Sequence, residues 1–267
     1  MIKFFRKIRY DLMSKNKTGK YFKYAIGEII LVVIGILIAL QINNWNEGRK
    51  QRAEENVLLS QLKSDFTDNL NQLDQKINTR LSMLKSCGEL FKLIDNPELA
   101  LKDSIDLYIA RAMPYASFDP IIHNFGSSGT LHLIKNNKLK QALTNWSADI
   151  QDVIEDEHAW KEYRHDHFIP FLVKHYQLRS VRNKAFKVNL LGSYSIERTD
   201  NNSSYTNYNI GSSKHNQDYV SLLKHPEFED HLTRLYGING WTNVQSNILR
   251  NRIVEIISLI DNELENK

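Results

Sequence analysis

The chain predicts an all-α fold: one membrane-crossing helix near the amino terminus, then a bundle of long antiparallel helices with a polar loop insertion. Three observations carry this. Residues 24–40, YAIGEIILVVIGILIAL, form an apolar run behind a basic leader. Beyond it, apolar residues recur every three or four positions over three long stretches. Proline and asparagine punctuate these stretches where helices begin and end.

A bilayer core of about 30 Å requires roughly 20 helical residues. Extending the run to Asn44 meets that length and takes in Glu28 and Gln41. Tyr21, Phe22 and Tyr24 on one side and Trp45 on the other suit the two interfaces. A buried core helix and a cleaved signal peptide are the alternatives. The first fits poorly with the charge asymmetry, and the second with Ile38 and Leu40 where a cleavage site needs small residues. The division is therefore a basic cytoplasmic leader at 1–23, a transmembrane helix at 24–44 and an extracytoplasmic domain at 45–267. Eight basic residues and Asp11 precede the run, which places the leader on the cytoplasmic side. Within the leader Met1, Phe5, Ile8 and Leu12 have the spacing of an amphipathic surface helix, with a basic disordered tail as the alternative.

The whole chain carries +4 and the leader +7, which leaves −3 for the remainder. The basic excess thus belongs to the membrane-proximal segment, which argues against nucleic acid as a partner of the large domain. The single cysteine, Cys87, excludes an intramolecular disulfide and a thiolate metal cluster, and it falls on an apolar helical stripe.

Leu58, Leu62, Phe66, Leu70, Leu73, Ile77, Leu81, Leu84 and Phe91 mark the first long amphipathic helix, which can continue from the membrane span with Gly48 as its weak point. Asn96-Pro97 ends it and opens a short helix that Pro114 stops. Asp119-Pro120 opens a further short piece, broken by Gly126-Ser127-Ser128-Gly129. A second long helix starts near Asn136, buries Leu139, Leu143, Trp146, Ile150, Val153 and Trp160, and should kink or end at Pro170. Residues 179–217, rich in Asn, Ser and Tyr around Asp200–Ser204, read as a polar surface excursion, with a hairpin near 186–196 as one option. Pro226 opens the last helical region, whose apolar face runs through Phe228, Leu232, Leu235, Trp241, Ile248, Ile256, Ile260 and Leu264, with a break expected at Gly237–Gly240.

The opening MIKFFRKIR, the string YAIGEIILVVIGILIALQINNWNE and the looser SSGTLHLIKNNKLKQAL at 127–143 resemble an uncharacterised group of membrane-anchored proteins of unknown function from Bacteroidota. The resemblance implies a Gram-negative inner-membrane protein, single-pass, with a periplasmic domain. It implies no activity and no catalytic residues.

Chemistry is sparse. Glu155-x-x-His158 and Glu162-x-x-His165 have the spacing of di-iron bundle ligands. Both pairs sit on one helix, roughly 10 Å apart by helical rise, opposite its apolar stripe, so a solvated charged face is the favoured reading and no metal is assigned. HExxH, GxSxG, a phosphate-binding glycine loop and CxxC are all missing. No catalytic residue and no cofactor is assigned. Ser127, Ser128 and Gly129 offer amides and hydroxyls to an anion, though a polar interhelical break explains them as well. Glu28, Gly35 and Ala39 share one face of the membrane helix, with a polar end and small residues suited to contact with another helix. A carboxylate snorkelling to the interface is the alternative for Glu28. The leading function is a non-enzymatic, membrane-anchored periplasmic module for binding, sensing or structural support in an inner-membrane complex. Its partners are membrane lipid, a second copy or another inner-membrane protein. The competitors are an enzyme whose site assembles from the bundle and the excursion, and an ion-coupled motor or transporter accessory that uses Glu28.

Overall fold

The computed structural model describes residues 10, 18–122, 130–188, 190, 210–215 and 218–265. The leader stripe, the Gly126–Gly129 break and the Asp200–Ser204 centre lie outside the described residues. Among those described there are helices and no strand.

The elements in order are α1 (Thr18–Asp95), a 3-10 turn (Pro97–Leu99), α2 (Lys102–Ala112), a 3-10 turn (Thr130–Leu133), α3 (Asn137–Tyr163), a π-turn (Arg164–Phe168), α4 (Ile169–His175), α5 (Leu178–Lys187), α6 (Tyr219–Leu223) and α7 (Pro226–Glu265). Two compact units result, residues 1–58 and 59–267.

The first unit is helical throughout its described length from residue 18, through Gly48. It carries one helix long and apolar enough to cross a membrane. Ile29, Leu31, Leu37 and Leu40 are each more than half exposed, a lipid-like surface rather than a core.

In the second unit three long helices set the frame, and their side-chain pairs give the register. Lys63 meets Asp261, Asp74 meets Arg250 and Cys87 meets Leu232, so α7 runs antiparallel to α1. Asn136 meets Glu263 and Asp149 meets Arg252, so α7 is antiparallel to α3 as well. Phe66 against Trp146 and Arg80 against Glu157 make α1 and α3 parallel. Asn136 caps α3, its carboxamide oxygen accepting from the amides of Lys138 and Leu139 at 2.9 and 3.1 Å. Asp218 caps α6 by accepting from Ser221 N at 2.9 Å.

The core is layered. On one side of the middle lie Leu62, Phe66, Leu143, Trp146, Ile253 and Ile260; on the other lie Met83, Leu90, Ile109, Trp160, Phe228 and Leu232. Between them sits a buried polar layer from all three helices: Arg80, Glu157, Asn243 and Ser246. Arg80 donates to Glu157 Oε1 at 2.6 Å, to Asn243 Oδ1 at 2.8 Å and to Ser246 Oγ at 2.6 Å. Burial pushes the Glu157 carboxyl up and the Arg80 guanidinium down, each opposed by the partner's charge.

Several expectations need correction. The buried stripe of α1 passes through Ile77, Arg80, Met83, Cys87 and Leu90, and Leu81 is half exposed. On α7 the buried positions are Leu235, Asn239, Thr242, Asn243, Ser246 and Leu249, while Trp241 and Ile248 face outward. In both helices polar side chains hold core positions, so a stripe traced through apolar residues alone slips around the axis. The expected break at Gly237–Gly240 is absent. The packed face of α7 outweighs the roughly 1 kcal/mol cost of each helical glycine. Of the two outcomes expected at Pro170, the second long helix shows an interruption and not an end of helical structure. A π-turn precedes the proline, and this wider turn opens the ladder where the proline ring would otherwise meet a carbonyl. Residues 119–122 form no helix, and 123–129 of the expected short piece lie outside the described residues. The stretch read as an excursion from 179 begins as α5, with Val181 and Ala185 buried. Phe186 is helical, and residues 189 and 191–196 of the suggested hairpin lie outside the described residues.

Cys87 is fully buried, and its thiol donates to Leu232 O at 3.3 Å. Burial pushes it up to about 12. A free thiol ionises near about 8.5, so unfolded chains lose this proton first as pH rises. The group's contribution to stability is thus complete below about pH 8.5 and lost as pH climbs through about 12. In a thiol-exchange assay with an aromatic disulfide at pH 8, Cys87 is expected to react only at the rate of unfolding. Immediate stoichiometric reaction of the folded protein would contradict this burial.

Candidate functional site

The site is built on a strap, residues 113–122, that leaves α2 without helix or strand and is bonded to α1 and α3. A segment outside regular structure has amides and carbonyls that each need a partner when buried. Side chains supply them. Asn69 accepts from Ile121 N at 2.7 Å and donates to Ile121 O at 3.0 Å. One turn along, Gln72 accepts from Asp119 N at 2.7 Å and donates to Asp119 O at 3.1 Å. Two carboxamides on one helix face thus stand in for a neighbouring strand. Phe118 N donates to Glu157 Oε2 at 2.6 Å, which ties the strap to the buried polar layer. Trp160 Nε1 donates to Pro114 O at 3.0 Å, and Arg164 Nε donates to Met113 O.

A second clamp sets α2 against α5. Buried Asp106 on α2 accepts from Tyr176 Oη at 2.8 Å, Ser180 Oγ at 3.1 Å and Lys102 Nζ at 3.1 Å. Lys184 on α5 pairs with Asp103.

Between the strap, the π-turn and α5 lies a cleft of about 540 Å³. That volume falls within the roughly 300–1,000 Å³ of small-molecule sites. Its apolar wall comes from Ala110, Met113, Pro114, Leu178, Val181 and Leu190. Among the described residues four cations, Lys76, Lys161, Arg164 and Arg182, line it against one carboxylate, Asp119. Lys161 Nζ and Arg164 Cζ lie 5.6 and 5.5 Å from the centre of the Tyr115 ring, so one aromatic ring holds two cations. Burial lowers the Arg164 guanidinium, and the charge of Arg182 presses the same way. Burial also lowers the Lys76 ammonium, which Glu157 and Asp119 partly hold up and Arg80 pushes further down. The Glu157 oxygens already accept from Arg80 and Phe118.

The positions singled out in the sequence fall elsewhere. Glu155, His158, Glu162 and His165 are all exposed on or just after α3. Glu155 accepts from Gln151 at 3.0 Å, and the His165 ring lies 6.3 Å from Tyr115 at the cleft rim. Among the described residues no group of three or more His, Cys, Asp or Glu is arranged to hold a metal ion. Ser127, Ser128 and Gly129 lie outside the described residues. Glu28, Gly35 and Ala39 lie on the apolar part of α1, and a Cβ added at Gly35 would meet nothing within 4 Å.

Sequence reading missed the cleft because its cations come from three separate places along the chain, and only Lys161 and Arg164 share a helical spacing. The available signal was local: Leu178, Val181 and Ala185 have helical spacing inside a stretch whose overall composition suggests loop.

No curated protein and no solved structure matches this chain. Residues 28–149 match a family of unknown function (DUF6090), a similarity that takes in the apolar helix, Lys76 and the whole strap but not Lys161, Arg164 or Arg182.

Proposed function

We propose that the protein is a single-pass, membrane-anchored binding module whose larger unit holds a ligand in the cleft beside the strap. The cleft itself carries this reading. Its backbone wall is fixed by Asn69, Gln72 and Trp160, and its lining combines apolar surface with cations. A preformed site of this kind binds without large rearrangement. The charge bias before residue 24 supports a cytoplasmic leader and a larger unit beyond the inner membrane, in the periplasm. The same proposal makes the Glu28–Gly35–Ala39 face a contact for another membrane helix, a second copy or a different inner-membrane protein.

Binding is tested with the full-length protein in phosphatidylcholine discs. Three single-chain photoactivatable probes are used, with carboxylate, alcohol and amine heads. At least one should label cleft peptides saturably, and Ser117→Trp, which fills the cleft from its exposed rim, should abolish that labelling. Absence of saturable cleft labelling by all three probes overturns the binding reading. Orientation is tested separately by fusing a reporter enzyme that is active only outside the cytoplasm. It should work after Lys267 and fail within the first twenty residues; the reverse pattern overturns the orientation.

A further inference from the structure

We propose that the cleft selects an amphiphile with one apolar chain and an oxyanion head, a carboxylate or a phosphate, and that Arg182 and Arg164 hold the head. This rests on the binding reading above and names its ligand class. Cations facing each other across a partly apolar wall repel, and a folded chain normally separates them or places a carboxylate between them. Here Arg164 and Arg182 line the same cleft, and Arg182 is close enough to disfavour the charge of Arg164. Neither Arg182 nor Lys76 has a hydrogen bond or ion pair with any described residue. Arg164 spends its Nε on Met113 O and its Nη1 lies 3.4 Å from His165 Nε2, which leaves its Nη2 to a ligand head while Arg182 offers a whole guanidinium. Both oxygens of the Glu157 carboxylate near Lys76 already accept from other donors. Among the described residues that line the cleft, Asp119 is therefore a single acid beside four cations. An oxyanion supplies the missing charge and matches the fork of a guanidinium in two parallel hydrogen bonds. The apolar wall of Met113, Val181 and Leu190 gives the chain of the amphiphile its place, which a bare inorganic anion would leave uncovered.

The experiment uses the same full-length protein in uncharged discs. The carboxylate probe should label peptides covering 107–121 and 178–190 about tenfold more efficiently than the alcohol, with the amine weaker still. Dodecanoate and dodecyl phosphate should both compete, and the stronger competitor identifies the head. Inorganic phosphate should not compete at equal concentration. Arg182→Gln should reduce carboxylate labelling about tenfold and Arg182→Lys should fall between Gln and wild type, because the charge survives but the fork is lost. Arg182 is exposed, so neither variant disturbs the core, and circular dichroism checks this. Equal labelling by carboxylate and alcohol would overturn the oxyanion class while leaving the binding reading intact. Competition by inorganic phosphate as strong as by dodecyl phosphate would overturn the need for a chain. Failure of every probe in the cleft would remove the binding reading itself.

Discussion

Replacing Glu157 by alanine is expected to lower the stability of the larger unit by about 3–5 kcal/mol, because it leaves the buried Arg80 charge without its carboxylate. The same change strips Phe118 N of its acceptor, so the strap loosens with the core. For a unit of this size the loss amounts to roughly 10 °C or more in the melting midpoint. Glu157→Gln keeps the shape but not the charge, and should fall between alanine and wild type. The double variant Arg80→Met with Glu157→Met removes both charges. It should be more stable than Glu157→Ala alone, since the desolvation of two ions is relieved together. Thermal unfolding of the full-length protein, followed by circular dichroism, gives all three values. If Glu157→Ala melted within about 2 °C of wild type, the buried pair would carry none of the weight assigned to it.

The second large effect is expected at Trp160. Its ring is buried against Tyr163 and Phe168 at centroid distances of 6.3 and 6.1 Å, and its Nε1 holds Pro114 O. Trp160→Ala should cost about 3–5 kcal/mol through the cavity it leaves. Trp160→Phe keeps most of the ring and loses the hydrogen bond, for about 1 kcal/mol, plus the smaller volume change. The two variants separate packing from strap attachment. Phenylalanine should nearly restore the melting midpoint while still weakening ligand capture in the cleft. If the phenylalanine variant bound as wild type does, the Trp160–Pro114 bond would be irrelevant to the site.

Helix periodicity made the frame legible before any coordinates. α1, α3 and α7 were readable from residues recurring on one face, and Asn136, Pro97 and Pro226 marked real starts. What periodicity mislaid was rotation about the axis. Arg80 and Asn243 look like surface residues in a hydrophobicity trace, yet they complete the stripes of α1 and α7. Polar residues can hold core positions when each satisfies the other, and no single helix reveals its partner. The strap was invisible for the same reason. Asn69 and Gln72 read as the polar side of α1, and only the fold brings residues 119 and 121 to them. The cleft combines this difficulty with composition: α5 is short and rich in Arg, Lys and Asn, so its two buried residues are outweighed.

The π-turn at Arg164–Phe168 has a consequence for how this chain tolerates change in length. A π-turn holds one residue more than an α-turn needs. The same residues wound as regular α-helix would swing everything that follows in α4 by about 100° around the axis. Phe168 and Phe171 pack beside His231 on the side that now faces the core, and such a swing would carry them toward solvent. The widened turn thus absorbs one residue of chain without rotating α4. Deleting one residue within the turn would let it close as α-helix with α4 still facing the core, whereas a deletion within α3 would rotate everything after it.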